Sequence, residues 1–382
     1  MKLIAKTLYG LEKVLAEELL ELGAKNVTPV NRAVVFNGDN RLLYKVNYCS
    51  ATALSVLAVI AEFTIKSSKD LYFNCSKIDW GRYLGCDDTF SVTPVVKSEL
   101  FPHTGYAGLV LKDAVADWFR NKTGRRPSIS TSYTGLLINL HVSHEKVTVS
   151  LDSSVVPLYK RGYRIGQYAA PLNEVLAAGM IRLSGWHSDK PLLDPMCGSG
   201  TILLEAALAA FRIPPGKFRP SFGFTRWKDF DEDLFLNVKE RAERRMVNSS
   251  VIIRGSDISQ QAISQARINI INAGLEDYIN LSVADFKDLH KEQERGVIIV
   301  NPPYGERIKP GDVSQLYNMI GTTLKHNFAG WDAFIITSGK DLLNEIGLKP
   351  KSKKSLYNGA IECLFARYEL YEGTKKRDMS GT

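Results

Sequence analysis

The sequence is poor in the features that mark several large protein classes. Its 382 residues hold five cysteines, Cys49, Cys75, Cys86, Cys197 and Cys363, no two of them in a CxxC pair. That spacing argues against a disulfide framework and a cysteine zinc site, and the five read as reduced, intracellular thiols. The six histidines, His103, His141, His144, His187, His290 and His326, show no ligand spacing, so no metal is expected. Long apolar runs are also missing. The longest uncharged stretch, Val46 to Ala61, has 16 residues and is broken by Asn47, Ser50, Thr52 and Ser55. It falls short of the ~20 residues a membrane-spanning helix needs and reads as a core helix, so no membrane association is expected. The opening MKLIAKTLYG interrupts its apolar run at Lys6 and offers no cleavage site, which argues against a signal peptide.

What is present is an ordinary globular composition, 45% apolar and 24% charged, long enough for two or three domains. The net charge of +8 is unevenly spread. Residues 1 to 164 hold 21 Lys and Arg against 15 Asp and Glu, whereas residues 165 to 382 hold 28 against 26. A basic module beside a near-neutral body suits a polyanion grip attached to a catalytic unit, and plain solubility charge explains the balance equally well.

Patterning divides the chain into four segments. Residues 1–63 alternate short strands (Leu3 to Lys6, Ala33 to Phe36) with helices (Leu11 to Leu22, Arg41 through Ile60), the order of a small ferredoxin-like α+β unit. Residues 64–156 carry alternating strand patterns at Thr89 to Val96, Leu136 to Val142 and Lys146 to Leu151, with a helix at Leu109 to Arg120. A basic turn there holds Lys122, Arg125 and Arg126, either a phosphate contact or a solvated face. The link 157–171, PLYKRGYRIGQYAAP, interleaves Tyr159, Tyr163 and Tyr168 with Lys160, Arg161 and Arg164. Such a mixture suits stacked bases and phosphates, and a packed linker would look the same. Residues 172–382 read as an open α/β sheet with buried strands at Pro191 to Met196, Val251 to Ser256, Asn280 to Ala284, Gly296 to Val300 and Trp331 to Thr337. An Asn358-Gly359 turn then predicts a closing antiparallel hairpin.

Two strand-end motifs carry the chemistry. Asp194-Pro195-Met196-Cys197-Gly198-Ser199-Gly200-Thr201 follows one strand and opens a helix, so its backbone can approach a ligand whose anionic group meets the helix N-terminus. It matches neither the triphosphate-binding loop nor GxGxxG. Asp257 and Asp285 close the next two strands, where carboxylates can hold ribose hydroxyls and an adenine amine; either could instead be a helix cap. Asn301-Pro302-Pro303-Tyr304 ends the strand GVIIV. The Asn301 amide oxygen and the Pro302 carbonyl can accept both protons of an exocyclic amine, and Tyr304 offers a ring face to a flipped base. This reads as a catalytic motif.

At these residues a resemblance becomes apparent. DPMCGSGT followed by NPPYGERI resembles the S-adenosylmethionine-dependent class I methyltransferases that act on exocyclic amines. Over essentially residues 1 to 375, including KRGYR at 160 to 164 and APLNEVLAAGMIRLSGW at 170 to 186, the chain is similar to the THUMP-domain RNA methyltransferases, in particular the bacterial large-subunit rRNA guanine-N2 family. The resemblance implies an α/β class I (Rossmann-like) seven-stranded sheet ending in an antiparallel hairpin, preceded by ferredoxin-like and THUMP regions. It implies cofactor contacts across Asp194, Pro195, Cys197, Gly198, Ser199, Gly200, Thr201, Asp257 and Asp285. The expected partner is RNA, rRNA first, in the cytoplasm, with no obligate protein partner. The alternatives are an N6-adenine methyltransferase of DNA or RNA and a tRNA guanine-N2 enzyme. Some family members carry a second, fused methyltransferase domain; the chain ends before one, so a second modification activity is not expected. Cys197 reads as small lining rather than a nucleophile. The 59 positions from Gly198 to Asp257, where about 20 suffice, make Arg212 to Asn248 an insertion expected to wall the substrate side.

Overall fold

The computed structural model describes residues 1–130, 135–166, 171–303 and 310–372, and the chain divides into two compact units. Unit 1 comprises Met1–Thr7, Leu15–Lys160 and Arg219–Arg244; unit 2 comprises Leu8–Val14, Arg161–Phe218 and Arg245–Thr382. Among the described residues, no helix is long and apolar enough to cross a membrane.

Unit 1 contains β1 (Lys2–Lys6), most of α1 (Glu12–Leu22), β2 (Lys25–Val30), β3 (Ala33–Asn37), α2 (Asn40–Cys49), β4 (Ser55–Thr64), α3 (Ser68–Ser76), β5 (Thr89–Lys97), α4 (Thr104–Thr123), β6 (Ser128–Ile129), β7 (Leu136–Ser143) and β8 (Lys146–Asp152). The strands form one sheet in the order β2-β3-β1-β4-β8-β7-β5-β6. β4 joins its halves, pairing antiparallel with β1 through Ser55 to Ala58 and with β8 from Leu57 to Thr64. Leu3, Ala5, Val34 and Phe36 point into one core, and Phe90, Ile138 and Leu140 pack with Leu111 and Val115 of α4 in another.

The Val46 to Ala61 run does not form the helix expected of it. α2 stops at Cys49, Ser50 turns to extended backbone (φ −72°, ψ 127°), and the run resumes as β4. The cause lies on α1. Buried Glu18 accepts bonds from the Ser50 hydroxyl at 2.7 Å, the Ala51 N–H at 2.8 Å, the Thr52 N–H at 3.1 Å and the Thr52 hydroxyl at 2.5 Å. One carboxylate thereby satisfies two backbone donors that leave the helix, and the β-branched residues beyond prefer a strand.

Unit 2 contains α5 (Glu174–Ser184), β9 (Leu192–Asp194) and α6 (Thr201–Ala210). The chain then contributes α7 (Glu232–Glu243) to unit 1 and continues in unit 2 with β10 (Ile253–Asp257), α8 (Gln260–Asn272), β11 (Ile279–Val283), β12 (Val297–Val300), α9 (Pro310–Asn327), β13 (Asp332–Thr337), α10 (Lys340–Glu345), β14 (Ser352–Asn358) and β15 (Ile361–Glu369). The sheet order is β11-β10-β9-β12-β13-β15-β14. β9 to β13 are parallel; β15 pairs antiparallel with β13 and with β14 across the expected hairpin.

The Arg212 to Asn248 insertion divides between the two units. Its 219–244 part packs in unit 1, where Phe224 stacks on Tyr44 with ring centroids 4.5 Å apart and Phe235 meets Phe224 edge-on at 5.0 Å. The Tyr48 hydroxyl donates to Glu243 at 2.5 Å, and the Lys228 ammonium donates to the Leu84 carbonyl at 2.6 Å. The five aromatics of that part, Phe222, Phe224, Trp227, Phe230 and Phe235, therefore serve a core, where ring pairs add about 0.5–1.5 kcal/mol each beyond area burial.

Glu18→Ala should lower unfolding free energy by about 3 kcal/mol, because it orphans buried backbone donors as well as two hydroxyls. Urea denaturation followed by far-UV dichroism measures this. A loss below about 1 kcal/mol would assign the break after α2 to local sequence instead.

Candidate active site

The strand order reverses at β9, which has β10 on one side and β12 on the other, so a crevice opens between the carboxyl ends of β9 and β12. The register places Gly255 beside Asp194 and Ile298 beside Leu193. The residues just beyond, the loop after β9 and Asn301 after β12, therefore emerge at the same edge of the sheet.

The loop after β9 is tied down bond by bond. The Cys197 N–H donates to the Ser256 carbonyl at 2.9 Å, the Gly198 N–H to Asp257 Oδ2 at 3.0 Å and the Gly200 N–H to the Cys197 carbonyl at 2.8 Å. Gly198 (φ +54°) and Gly200 (φ +82°) take left-handed backbone, and a Cβ on Gly200 would press on Ala266 at 3.2 Å. A Cβ on Gly198 would meet no atom within 4 Å, so that edge is open to a ligand. Gly200 begins α6 and, among the described residues, no side chain caps this helix, leaving first-turn N–H groups for an anion.

The acids around this loop differ in environment. Asp194 is 1% exposed and accepts the Met196 N–H at 3.3 Å. Burial pushes its carboxyl well above the usual carboxylate range, the Met196 N–H pulls it down and the nearby Asp257 adds to the rise. The Cys197 thiol is pushed up by burial and by Asp194 and Asp257, so it stays protonated, which suits lining and not nucleophilic attack. Asp257 does not cap α8: Ser259 does, accepting the Ala262 N–H at 3.2 Å. Asp257 Oδ1 takes the Ser259 N–H at 2.9 Å and Oδ2 takes Gly198, with lone pairs left on both oxygens. Asp285 does serve as a cap, accepting the Lys287 N–H at 3.2 Å and pairing with the Lys287 ammonium at 3.0 Å.

At the end of β12, Asn301 Oδ1 is buried and has no hydrogen-bond partner among the described residues. Pro302 beside it is buried and Pro303 half-buried. Tyr304 lies outside the described residues, as does Tyr168 of the link. A cavity of ≈120 Å³ in unit 2 runs along the strands, from Pro191, Ile252 and Trp331 near their starting ends to Ser256 and Ser282.

The basic candidates separate into two groups. Lys122, Arg125, Arg126 and Lys160 are exposed, Arg125 in an ion pair with Asp87. Arg161 is not available to RNA. It is 2% exposed and its guanidinium donates to both oxygens of buried Glu205 at 3.2 and 3.1 Å, where the Tyr163 hydroxyl also donates at 2.9 Å. Arg164 likewise turns inward, to Glu174, Ser199 and Thr201. Arg161, Tyr163 and Arg164 thus correct the polyanion reading of the link: a cation taken into a low-dielectric interior needs a charged partner there and cannot also serve a phosphate. Sequence reasoning missed Glu174, Glu205 and Asn269. The one visible signal was Glu205, a lone charge in the apolar helix TILLEAALAA.

Comparison with known proteins agrees with this geometry. Residues 161–367 match the RMKL-like methyltransferase domain, residues 2–57 the RlmL ferredoxin-like domain and residues 66–152 the THUMP domain. The chain belongs to the RMKL-like methyltransferase family. This methyltransferase is 37% identical over 366 residues to a candidate RNA methyltransferase of Synechocystis, covering 95% of each chain. It is 38% identical over 371 residues to the ribosomal RNA large subunit methyltransferase K/L of Psychromonas ingrahamii, covering 95% of this chain and 49% of that protein, about half its length. Among solved structures it resembles a candidate methyltransferase complexed with SAH (TM-score 0.88, 30% identity, 98% and 99% of the two chains). A candidate methylase from Clostridium difficile is similar at TM-score 0.88 and 32% identity, again covering 98% and 99%. The expected class I α/β sheet behind ferredoxin-like and THUMP regions is therefore what the methyltransferase has.

Asp194 makes the ligand-free enzyme sensitive to base. Its folded pKa lies above the unfolded value near 3.8, so the stability it contributes is complete below that value and is lost as pH rises through the folded pKa. Asp194→Asn should be spared this loss, and the melting-temperature difference, variant minus wild type, should grow from about pH 5 to about pH 8. Scanning fluorimetry giving a pH-independent difference would remove Asp194 as the source.

Proposed function

We propose that this methyltransferase transfers a methyl group from S-adenosylmethionine to an exocyclic amino nitrogen of RNA, guanine N2 of large-subunit rRNA first. The observation that carries the reading is the buried Asn301 Oδ1 at the switch point, which has no hydrogen-bond partner among the described residues. A buried acceptor without a partner costs about 1–3 kcal/mol, and an arriving amine removes that cost. Asn301 Oδ1 and the Pro302 carbonyl take its two N–H groups, hold the nitrogen toward pyramidal geometry and aim its lone pair along the attack line. With the cofactor bound, the nitrogen would bond the methyl carbon as the carbon–sulfur bond breaks, S-adenosylhomocysteine would be the leaving group, and the surplus proton would pass from the nitrogen to solvent.

The residues present fit the cofactor. Open space beside Gly198 admits its backbone-facing part, the uncapped start of α6 suits its carboxylate, and Asp257 and Asp285 at successive strand ends suit its ribose and adenine. S-adenosylmethionine supplies an electrophilic methyl group. Cys197, Pro195, Ser199 and Thr201 shape the loop around it, and no covalent enzyme intermediate is required.

The large-subunit rRNA reading draws support from the K/L relative's name, and RNA binding from the THUMP match. We assign 1–63 to the ferredoxin-like unit, 64–156 to the THUMP domain, 157–171 to the link and 172–382 to the catalytic domain, acting in the cytoplasm. Lys122, Arg125, Arg126 and Lys160 are the phosphate contacts of this reading.

Asn301→Ala should keep S-adenosylmethionine affinity and lose methyl transfer by ~100-fold or more, the scale of one preorganised polar contact. Radiolabel transfer to RNA from a strain lacking the enzyme, followed by nucleoside analysis, should yield N2-methylguanosine. N6-methyladenosine would move the enzyme to adenine, and full activity of the variant would sink the amine-acceptor role. Replacing Lys122, Arg125 and Arg126 by Ala should make the salt dependence of RNA affinity shallower by about two in logarithmic slope. An unchanged slope in filter binding would place the phosphate contacts elsewhere.

A further inference from the structure

Arg161 and Arg164 of the link both turn inward, which leaves the work of Arg164 to be explained. Its Nε and Nη2 donate to Glu174 Oε1 at 3.1 and 2.8 Å, its Nη1 to Ser199 Oγ at 3.0 Å and its Nη2 to Thr201 Oγ1 at 3.0 Å. Glu174 is the first residue of α5, held by the Asn173 cap, and its side chain is 7% exposed. Ser199 and Thr201 flank Gly200, the residue from which α6 starts. One guanidinium therefore fastens both sides of the loop's second glycine to a buried carboxylate on another helix.

A second tie runs beside the first. The Ile165 N–H donates to Asn269 Oδ1 at 3.0 Å, and Asn269 Nδ2 donates to the Ser199 carbonyl at 3.0 Å. Asn269 is 1% exposed in α8, so the backbone next to Arg164 is coupled to the same loop through a fixed amide.

We propose that Arg164 is a positioning residue for the cofactor loop, holding Ser199-Gly200-Thr201 in its ligand-ready conformation from the link segment. The inference rests on the cofactor site proposed above. The physical need follows from the two left-handed glycines, which have the most conformational freedom to lose. Any time the loop spends in other conformations weakens apparent affinity in proportion to the competent fraction. Arginine is required for the bridge because its planar fork reaches a carboxylate and two hydroxyls together; lysine offers one flexible ammonium.

The test measures S-adenosylmethionine affinity by calorimetry, and melting temperature alongside, for the wild-type full chain, Arg164→Lys, Thr201→Val and the double variant. Arg164→Lys and Thr201→Val should each weaken binding, Arg164→Lys by ~10-fold, the scale of a charge-assisted bond. The double variant should be no weaker than Arg164→Lys alone, since Thr201→Val then removes a bond already lost. In turnover the effect should fall on KM for S-adenosylmethionine and leave kcat at saturation nearly unchanged. A folded Arg164→Lys with wild-type affinity, or single effects that multiply in the double variant, would overturn the proposal. Thr201→Val keeps the Glu174 pair, so it remains decisive if Arg164→Lys fails to fold: unchanged affinity there also overturns it. Wild-type protein that does not bind S-adenosylmethionine would instead overturn the cofactor reading underneath.

Discussion

The site exists because β9, β10, β11 and β12 run parallel. Parallel strands of one sheet finish at one edge, so the polar groups of the site gather there: Asp194 and Asp257 are the last residues of β9 and β10, and the glycine loop and Asn301 follow just past the ends of β9 and β12. Asp257 then uses the arrangement a second time. Its two oxygens take N–H groups from Gly198, after β9, and from Ser259, before α8, so one carboxylate sets the loop height above the sheet. Asp194 sits beneath, too buried to ionise easily, and Asp257 makes that harder. The two acids differ in environment: Asp194 is buried beneath the loop, and half-buried Asp257 accepts two backbone N–H groups at its rim.

Much of the catalytic unit was legible for the same reason. Buried strands such as β12 and β13 read as short apolar runs, and the Asn-Gly hairpin supplied the antiparallel close, so five parallel strands and two hairpin strands stand where patterning put them. The failures share one cause. The end of α2 is decided by Glu18, more than thirty positions earlier, and no local pattern around Ser50 to Thr52 announces a distant carboxylate. The 219–244 segment is rich in aromatic residues, yet nothing in its composition says which core those rings enter.

The link shows the limit most clearly. Tyr and Arg in alternation suit a base-stacking surface and a packed strap equally, because both uses need an apolar face and a cation. What separates them is whether a carboxylate waits in the interior, and Glu205 lies 44 positions from Arg161. Exposure follows from that pairing: Lys160, with no such partner required, stays at the surface while its neighbour is sealed in.

Asn301 completes the argument from the opposite direction. Arg161 and Glu205 are polar groups whose burial is fully answered within the chain, and they hold the scaffold. Asn301 Oδ1 is a buried polar atom whose answer is missing among the described residues. In a well-packed unit such an acceptor lowers stability for as long as it stays bare. The ligand that satisfies it must bring an N–H or O–H donor to the carboxyl edge of the sheet, and an exocyclic amine brings two, one for the amide and one for the proline carbonyl beside it. In the proposed reading, the same deficit that weakens the fold supplies part of the force that orients the amine nitrogen, so an acceptor that costs stability is put to use at the chemistry.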